Sequence, residues 1–315
     1  MGQKDMAEKL LEEHEDVFAD IVNVLLFNGK EIVQSEDLTD VKTKAQYKAN
    51  DSKLHEMERD VAKLWKKEKV NIAIYGVENQ TKVERLMPLR IIGYDGASYR
   101  SQLLTNDSGE LYPVVTIILY FGKEHWNEPK SLKKVINIPS ELDKYVNDYK
   151  IHVFEIAWLS KKKIQMFKSD FRIVADFFVQ TRKSDDYKPS EQELKHVDEV
   201  LKMLSVFGHA EELFQLVESG ESKEVTNMCE AINKVKRTGH EEGLKEGLKE
   251  GLKEGLKEGR EEGREEGREE GIEKERSAAI ERMLRNGKTP EQIADFCGYL
   301  IEEVKAVQNK MMQPV

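Results

Sequence analysis

The chain has 315 residues, 39% hydrophobic and 35% charged, with Lys+Arg 50 against Asp+Glu 60 and a net charge of −10. That length suits one large domain or two ordinary ones, and the composition describes a folded body carrying at least one heavily solvated segment. Residues 241–272 alone hold twelve acids and seven bases, so the remainder is only mildly acidic. This excludes a bulk basic footprint for non-specific nucleic-acid binding, and any such contact must come from a local patch.

Two cysteines, Cys229 and Cys297, are too few for a disulfide framework or a four-thiolate zinc site, which points to a reducing compartment. The first twenty residues carry Lys4, Asp5, Glu8, Lys9, Glu12, Glu13, Glu15 and Asp16 and hold no apolar signal-peptide core. The longest apolar run lies within 114–121, far short of the ~20 residues a spanning helix needs. The expected location is cytoplasmic, with no membrane partner.

In chain order, residues 6–27 place Leu10, Leu11, Val17, Phe18, Ile21, Val22, Leu25 and Leu26 at helical spacings, and Asn28-Gly29 closes the helix. Residues 38–57 are polar and read as a connector with short helical pieces. Apolar runs at 61–65 and 70–77, joined by Lys66-Lys67-Glu68-Lys69, predict a strand pair. Residues 87–104 return to helical spacing. Residues 112–121 and 151–159 are β-branched and aromatic, apolar on both faces, and predict buried central strands. Helical patterns follow at 168–181 and 191–207. Strands interleaved with helices give an α/β domain with a mixed sheet over residues 1–235.

Residues 236–271 carry an internal repeat, with glycine at 243, 247, 251, 255, 259, 263, 267 and 271. Eight helix-interior glycines cost roughly 8 kcal/mol relative to alanine. A four-residue step advances about 400° around the helix, so the glycine row drifts about 40° per repeat and forms a winding groove. The segment is either a solvated linker or a surface for a homo-oligomer. Residues 272–315 form a helical module. Gly287 stops its first helix, and Thr289-Pro290-Glu291-Gln292 starts the next with the elements of a capping box. The pattern resembles a helix-turn-helix with Ile293, Ala294, Leu300 and Val304 as its small core. Glu302 and Glu303 lead the second helix and would repel phosphate, which favours docking or oligomerisation over DNA reading.

Several motifs fail on inspection. Gly287-Lys288-Thr289 has Arg282 where a P-loop needs glycine, and no cysteine or histidine pair has metal-ligand spacing. One constellation survives: Glu58-Arg59-Asp60, followed 18 residues after Asp60 by Glu78-Asn79-Gln80. On an extended strand, alternation puts Ile72, Ile74, Gly76, Glu78 and Gln80 on one face, with the apolar part buried and the polar end emerging. Two carboxylates at the mouth of a strand pair suit Mg²⁺, with solvent-facing strand ends as the simpler alternative.

The segments Glu58-Arg59-Asp60-Val61, Ile74-Tyr75-Gly76-Val77-Glu78-Asn79-Gln80-Thr81, Met87-Pro88-Leu89-Arg90, Ile92-Gly93-Tyr94-Asp95-Gly96, Tyr112-Pro113-Val114-Val115 and Leu119-Tyr120-Phe121-Gly122 resemble the recombination-promoting nuclease family, also labelled YhgA-like transposases. The likeness covers roughly residues 15–235. It implies a restriction-endonuclease-like PD-(D/E)XK core and a Mg²⁺-dependent DNA endonuclease that uses no organic cofactor. Asp60 and Glu78 then stand as the motif acids and metal ligands, Gln80 takes the place usually held by lysine, and Asp20 is the accessory metal acid. Glutamine can orient water or a phosphate oxygen but cannot titrate, which leaves water activation to the metal. Arg90 is a candidate phosphate contact, with a structural salt bridge as the equal alternative, and Lys66, Lys67 and Lys69 are a candidate local basic patch for DNA, with an ordinary lysine-rich soluble turn as the alternative. A catalytically weak assembly protein acting through the repeat and the C-terminal helices is the alternative.

Overall fold

The computed structural model describes residues 11–41, 44–48, 54–68, 70–105, 111–184 and 186–312. The chain divides into two units, Met1–Arg237 and Thr238–Val315.

In the first unit, a turn of helix at residues 11–13 breaks at His14 and resumes as α1 (Glu15–Leu25). Asn28 and Gly29, both at positive φ (56° and 82°), reverse the chain after it. The segment expected to carry short helical pieces is instead mostly extended. Its described residues carry β1 (Leu38–Asp40), β2 (Lys44–Lys48) and β3 (Leu54–Glu58), and a 3-10 turn at Ser35–Asp37 precedes it. Strand pairing overrides its weak local preference. Then come β4 (Val61–Lys67), β5 (Val70–Gln80), α2 (Met87–Thr105), β6 (Val114–Tyr120), β7 (His152–Glu155), α3 (Lys161–Ile164), α4 (Phe171–Lys183), α5 (Val197–Gly208) and α6 (Glu211–Glu218).

A five-stranded mixed sheet runs in the order β1-β4-β5-β6-β7. β4 pairs antiparallel with β1 and β5, while β6 lies parallel between β5 and β7. β2 and β3 form a separate antiparallel pair. The β5-α2-β6 connection is a helical crossover, which parallel neighbours require.

Alternation along β5 and β6 divides the core. Tyr75, Val77, Ile117 and Leu119 face the buried stripes of α1, α4 and α5. There Phe121 stacks on Phe207 at 4.9 Å. Ile118 and Tyr120 face the other way, onto Met87, Ile91 and Tyr94 of α2 and onto Trp126. Helices therefore cover both faces, which gives an α/β architecture.

β6 is a central strand, as its apolar pattern predicts. The 151–159 run is not: only His152–Glu155 is extended, it is half-exposed at the sheet edge, and Ile156–Trp158 turns into a 3-10 helix. Its apolar residues are accounted for by that turn, where Ile156 and Ala157 are fully buried.

The glycine repeat lies within one uninterrupted helix, α7 (Met228–Arg285), of 58 residues. Leu244, Leu248, Leu252 and Leu256 stand 60–76% exposed along it. Among the described residues, nothing beyond the helix's own local backbone lies within 4 Å of where a Cβ would stand at any of the eight repeat glycines. Beyond Gly287, α8 (Pro290–Cys297) opens with the expected capping box and ends at Gly298 in the left-handed region, and α9 (Ile301–Met312) follows. Ile280, Ile293 and Val304 form the small core. Leu300, expected there, is 64% exposed. Among the described residues, no helix is long and apolar enough to cross a membrane.

Candidate active site

Asp60 immediately precedes β4, and Glu78 and Gln80 close β5. The antiparallel register Val61↔Val77 sets Asp60 opposite Glu78 across the hairpin. The backbone N–H of Asn79 donates to Asp60 Oδ2 at 2.7 Å. Arg90, in the first turn of α2, reaches back with its guanidinium 3.2 Å from Glu78 Oε1 and 2.6 Å from Glu84 Oε2. Gln80 Nε2 donates to the same Glu78 oxygen at 3.3 Å. Asp60, Glu78, Gln80 and Arg90 are thus brought together.

The polar end of β5 does not emerge into water as alternation alone suggests, because Glu78 is 2% and Asn79 7% exposed. A third acid joins them. Glu12, from the helical turn before α1, is fully buried and accepts from Asn79 Nδ2 at 2.8 Å. Asn79 therefore ties Asp60 to Glu12. Glu12 Oε1 and Glu78 Oε2 are buried with no hydrogen-bond partner among the described residues.

Burial pushes the Glu12 carboxyl up to about 8, against the Asn79 hydrogen bond, and the charges of Asp60 and Glu78 add to the rise. Glu78 is likewise raised to about 8, by burial first and Asp60 second, while Arg90 and Arg59 pull the other way. Burial also works against the charge on Arg90, but Glu78, Tyr94 and Glu84 more than offset it and hold its pKa above the ordinary guanidinium value. Glu12 and Glu78, both raised by burial and by the nearby charge of Asp60 and each with an orphaned oxygen, fit with Asp60 a hard cation that takes oxygen ligands.

Beneath this cluster Arg59 makes a buried ion pair with Asp95 of α2, Nη2 to Oδ1 at 2.7 Å. Asp95 also accepts from the Thr116 hydroxyl at 2.5 Å and from the Tyr149 hydroxyl. The Arg59 side chain passes over Gly76, where an added Cβ would stand 2.4 Å from Arg59 Cδ. Gly76 is thus required by a close approach, not by its backbone angle. Arg59, Gly76 and Asp95 therefore serve as scaffold, fixing the neighbours of Asp60 and Glu78.

Other expected residues lie elsewhere. Asp20 does not reach the cluster. Its Oδ2 accepts from the backbone N–H groups of Lys168 and Ser169 and from the Ser169 hydroxyl, at 2.7–2.8 Å, which anchors the loop before α4. The physical reason is the helical phase of α1, which turns Asp20 toward that loop. Lys66 and Lys67 end β4 rather than occupying a turn. Six residues of strand, about 20 Å, separate Lys66 from Asp60, so this end of the hairpin is remote from the carboxylates. Lys69 lies outside the described residues.

Glu12 and Asn79 are the site residues that sequence reasoning missed. Glu12 is detectable as an acid beside Leu11 at the apolar start of the first helix, and Asn79 as the amide between the two singled-out residues of β5. No curated protein and no solved structure matches the chain. The family model described as "Putative transposase, YhgA-like" matches residues 29–206, which takes in Asp60, Glu78, Gln80 and Arg90 but begins after Glu12 and Asp20. That match spans more than half of the 315 residues, and the chain belongs to the family of YhgA-like putative transposases.

Proposed function

We propose that the chain is a Mg²⁺-dependent DNA endonuclease with a restriction-endonuclease-like core. The observation that carries this reading is the group of Asp60, Glu78 and Glu12, in which Glu78 Oε2 and Glu12 Oε1 are buried with no hydrogen-bond partner among the described residues. Membership of the transposase family and the order of an antiparallel hairpin, crossover helix and parallel strand support it.

Asp60 and Glu78 would hold the ion, with Glu12 in the accessory place expected of Asp20. Bound there, Mg²⁺ lowers the pKa of water and neutralises charge on a phosphate. Asn79 orients Asp60 and Glu12 through its two donors. Gln80, a neutral amide, fixes the Glu78 carboxylate and takes no proton. Arg90, 36% exposed at its side chain, is placed to receive a phosphate oxygen once a cation satisfies Glu78. Incubating purified protein with supercoiled plasmid, with and without Mg²⁺, tests the reading. Nicking or cutting is expected with Mg²⁺, lost in Asp60→Ala. Equal cutting in EDTA defeats it.

A second function class, assembly through a homo-oligomer, draws on the exposed leucine row and uncovered glycines of α7. Glycine-rich helix is unstable alone, and packing against a partner helix would offset that. An unchanged mass by light scattering after removal of residues 243–270 counts against it.

A further inference from the structure

A second cluster of metal-binding side chain types lies where α1 and α5 begin. His14 is the N-cap of α1, His196 the N-cap of α5, and Glu199 stands in the first turn of α5. One ring nitrogen from each histidine and a Glu199 carboxylate oxygen lie within 4.8 Å of one another. His14 Nε2 and Glu199 Oε1 are 3.7 Å apart, too far for a hydrogen bond. That separation is close to the edge, about 3.4 Å, of a tetrahedron around an ion with ligand bonds near 2.05 Å.

His196 is set up as a ligand by its neighbours. Its Nε2 lies 3.1 Å from Asp16 Oδ1, which leaves Nδ1 as the nitrogen able to coordinate. A carboxylate behind a histidine in this way fixes ring orientation and raises ligand basicity. Asp170 Oδ2 accepts from the backbone N–H groups of Lys195 and His196 at 2.9 and 2.6 Å, which pins the chain at that point.

We infer that His14, His196 and Glu199 bind a borderline divalent transition-metal ion of the Zn²⁺ class, with Asp16 as the positioning carboxylate. Two imidazoles select against Mg²⁺, which takes oxygen ligands. Three protein ligands leave a fourth position to water. Two helix N-termini disfavour a cation, and Glu15, Asp16, Asp198 and Glu199 in the two first turns offset that field. Lys195, the basic neighbour, is paired with Asp16 at 2.6 Å. The imidazoles stack at 3.7 Å with planes 19° apart, so their nitrogens do not yet aim at one point. His14, with 35% of its side chain exposed against 12% for His196, is the ring that turns onto the ion.

Isothermal titration of the untagged full chain with Zn²⁺ tests this, in an Asp60→Ala/Glu78→Ala background so that those carboxylates do not contribute. The expected result is one saturable equivalent, with affinity lowered about ten-fold or more by Asp16→Asn and abolished by His14→Ala/His196→Ala. Absence of saturable binding overturns the inference, as does unchanged affinity in the double histidine variant. If circular dichroism shows that variant to be unfolded, Glu199→Gln in the same background decides: it should weaken Zn²⁺ binding at least ten-fold, and unchanged affinity refutes the site.

Discussion

Replacing Glu12 by glutamine isolates the electrostatic cost of the carboxylate cluster. The substitution keeps the size of the side chain and an oxygen to accept from Asn79 Nδ2, and it replaces the ionisable carboxyl by a neutral amide whose NH2 takes the place of Oε1. Burial raises the Glu12 carboxyl from 4.5 to about 8. A raised acid is more readily protonated in the folded state, so its stabilising contribution is complete below about 4.5 and is lost as pH climbs toward 8. At pH 7 the loss is on the order of 3 kcal/mol, from about 1.4 kcal/mol per pKa unit. Glu12→Gln should therefore stabilise the chelated protein by that order at pH 7 and leave it nearly unchanged at pH 4.5. Mg²⁺ should flatten the pH dependence of the wild type and do less to the variant. Trp65, Trp126 and Trp158 all lie in the first unit, so urea unfolding followed by tryptophan fluorescence reports on that unit alone. Parallel stability–pH curves for the two proteins in EDTA would refute the reasoning.

Three other perturbations follow from the same geometry. If the chain is the proposed endonuclease, Gln80→Lys should retain or raise Mg²⁺-dependent nicking, since it would put a cation near the bound phosphate; loss of nicking in a folded variant would show that the amide bonded to Glu78 is required. Gly76→Ala should destabilise the first unit by about 3–5 kcal/mol, because Arg59 must leave Asp95 with its charge uncompensated, and a urea midpoint unchanged from wild type would contradict this. Deleting residues 243–270 should leave nicking in place while changing the mass measured by light scattering, and intact mass would assign the repeat to a linker.

Much of the fold was legible because the informative segments carry one strong period each. The β4–β5 hairpin, α2 and β6 follow from apolar runs and helical spacing. The capping box at Thr289 follows from four residues of local chemistry. The 38–57 segment misleads because its polar composition conceals strands held by pairing, and β7 because apolar residues of a buried 3-10 turn imitate a central strand. At the site, the spacing of Asp60 and Glu78-Asn79-Gln80 alone does not separate a metal site from solvent-facing strand ends, and the family resemblance is what singles these residues out. Which acid of the first helical segment lies near Asp60 and Glu78 is a matter of helical phase across a break at His14, which periodicity does not resolve: Asp20 accepts from Ser169 while Glu12 accepts from Asn79. Nor does spacing announce that Lys66 lies at the opposite end of its strand from Asp60.

The ion pair beneath the site also constrains how this sequence can drift. Arg59, Asp95, Thr116, Tyr149 and the bare backbone at Gly76 form one interlocked set. Changing any charged member alone strands a buried charge, and enlarging Gly76 alone displaces one. Mutations in such a set are non-additive, so the single-step routes between alternative fillings of this space pass through destabilised proteins. The interlock is thus a barrier on the mutational landscape. A variant that escapes should carry its replacements at Arg59 and Asp95 as a pair.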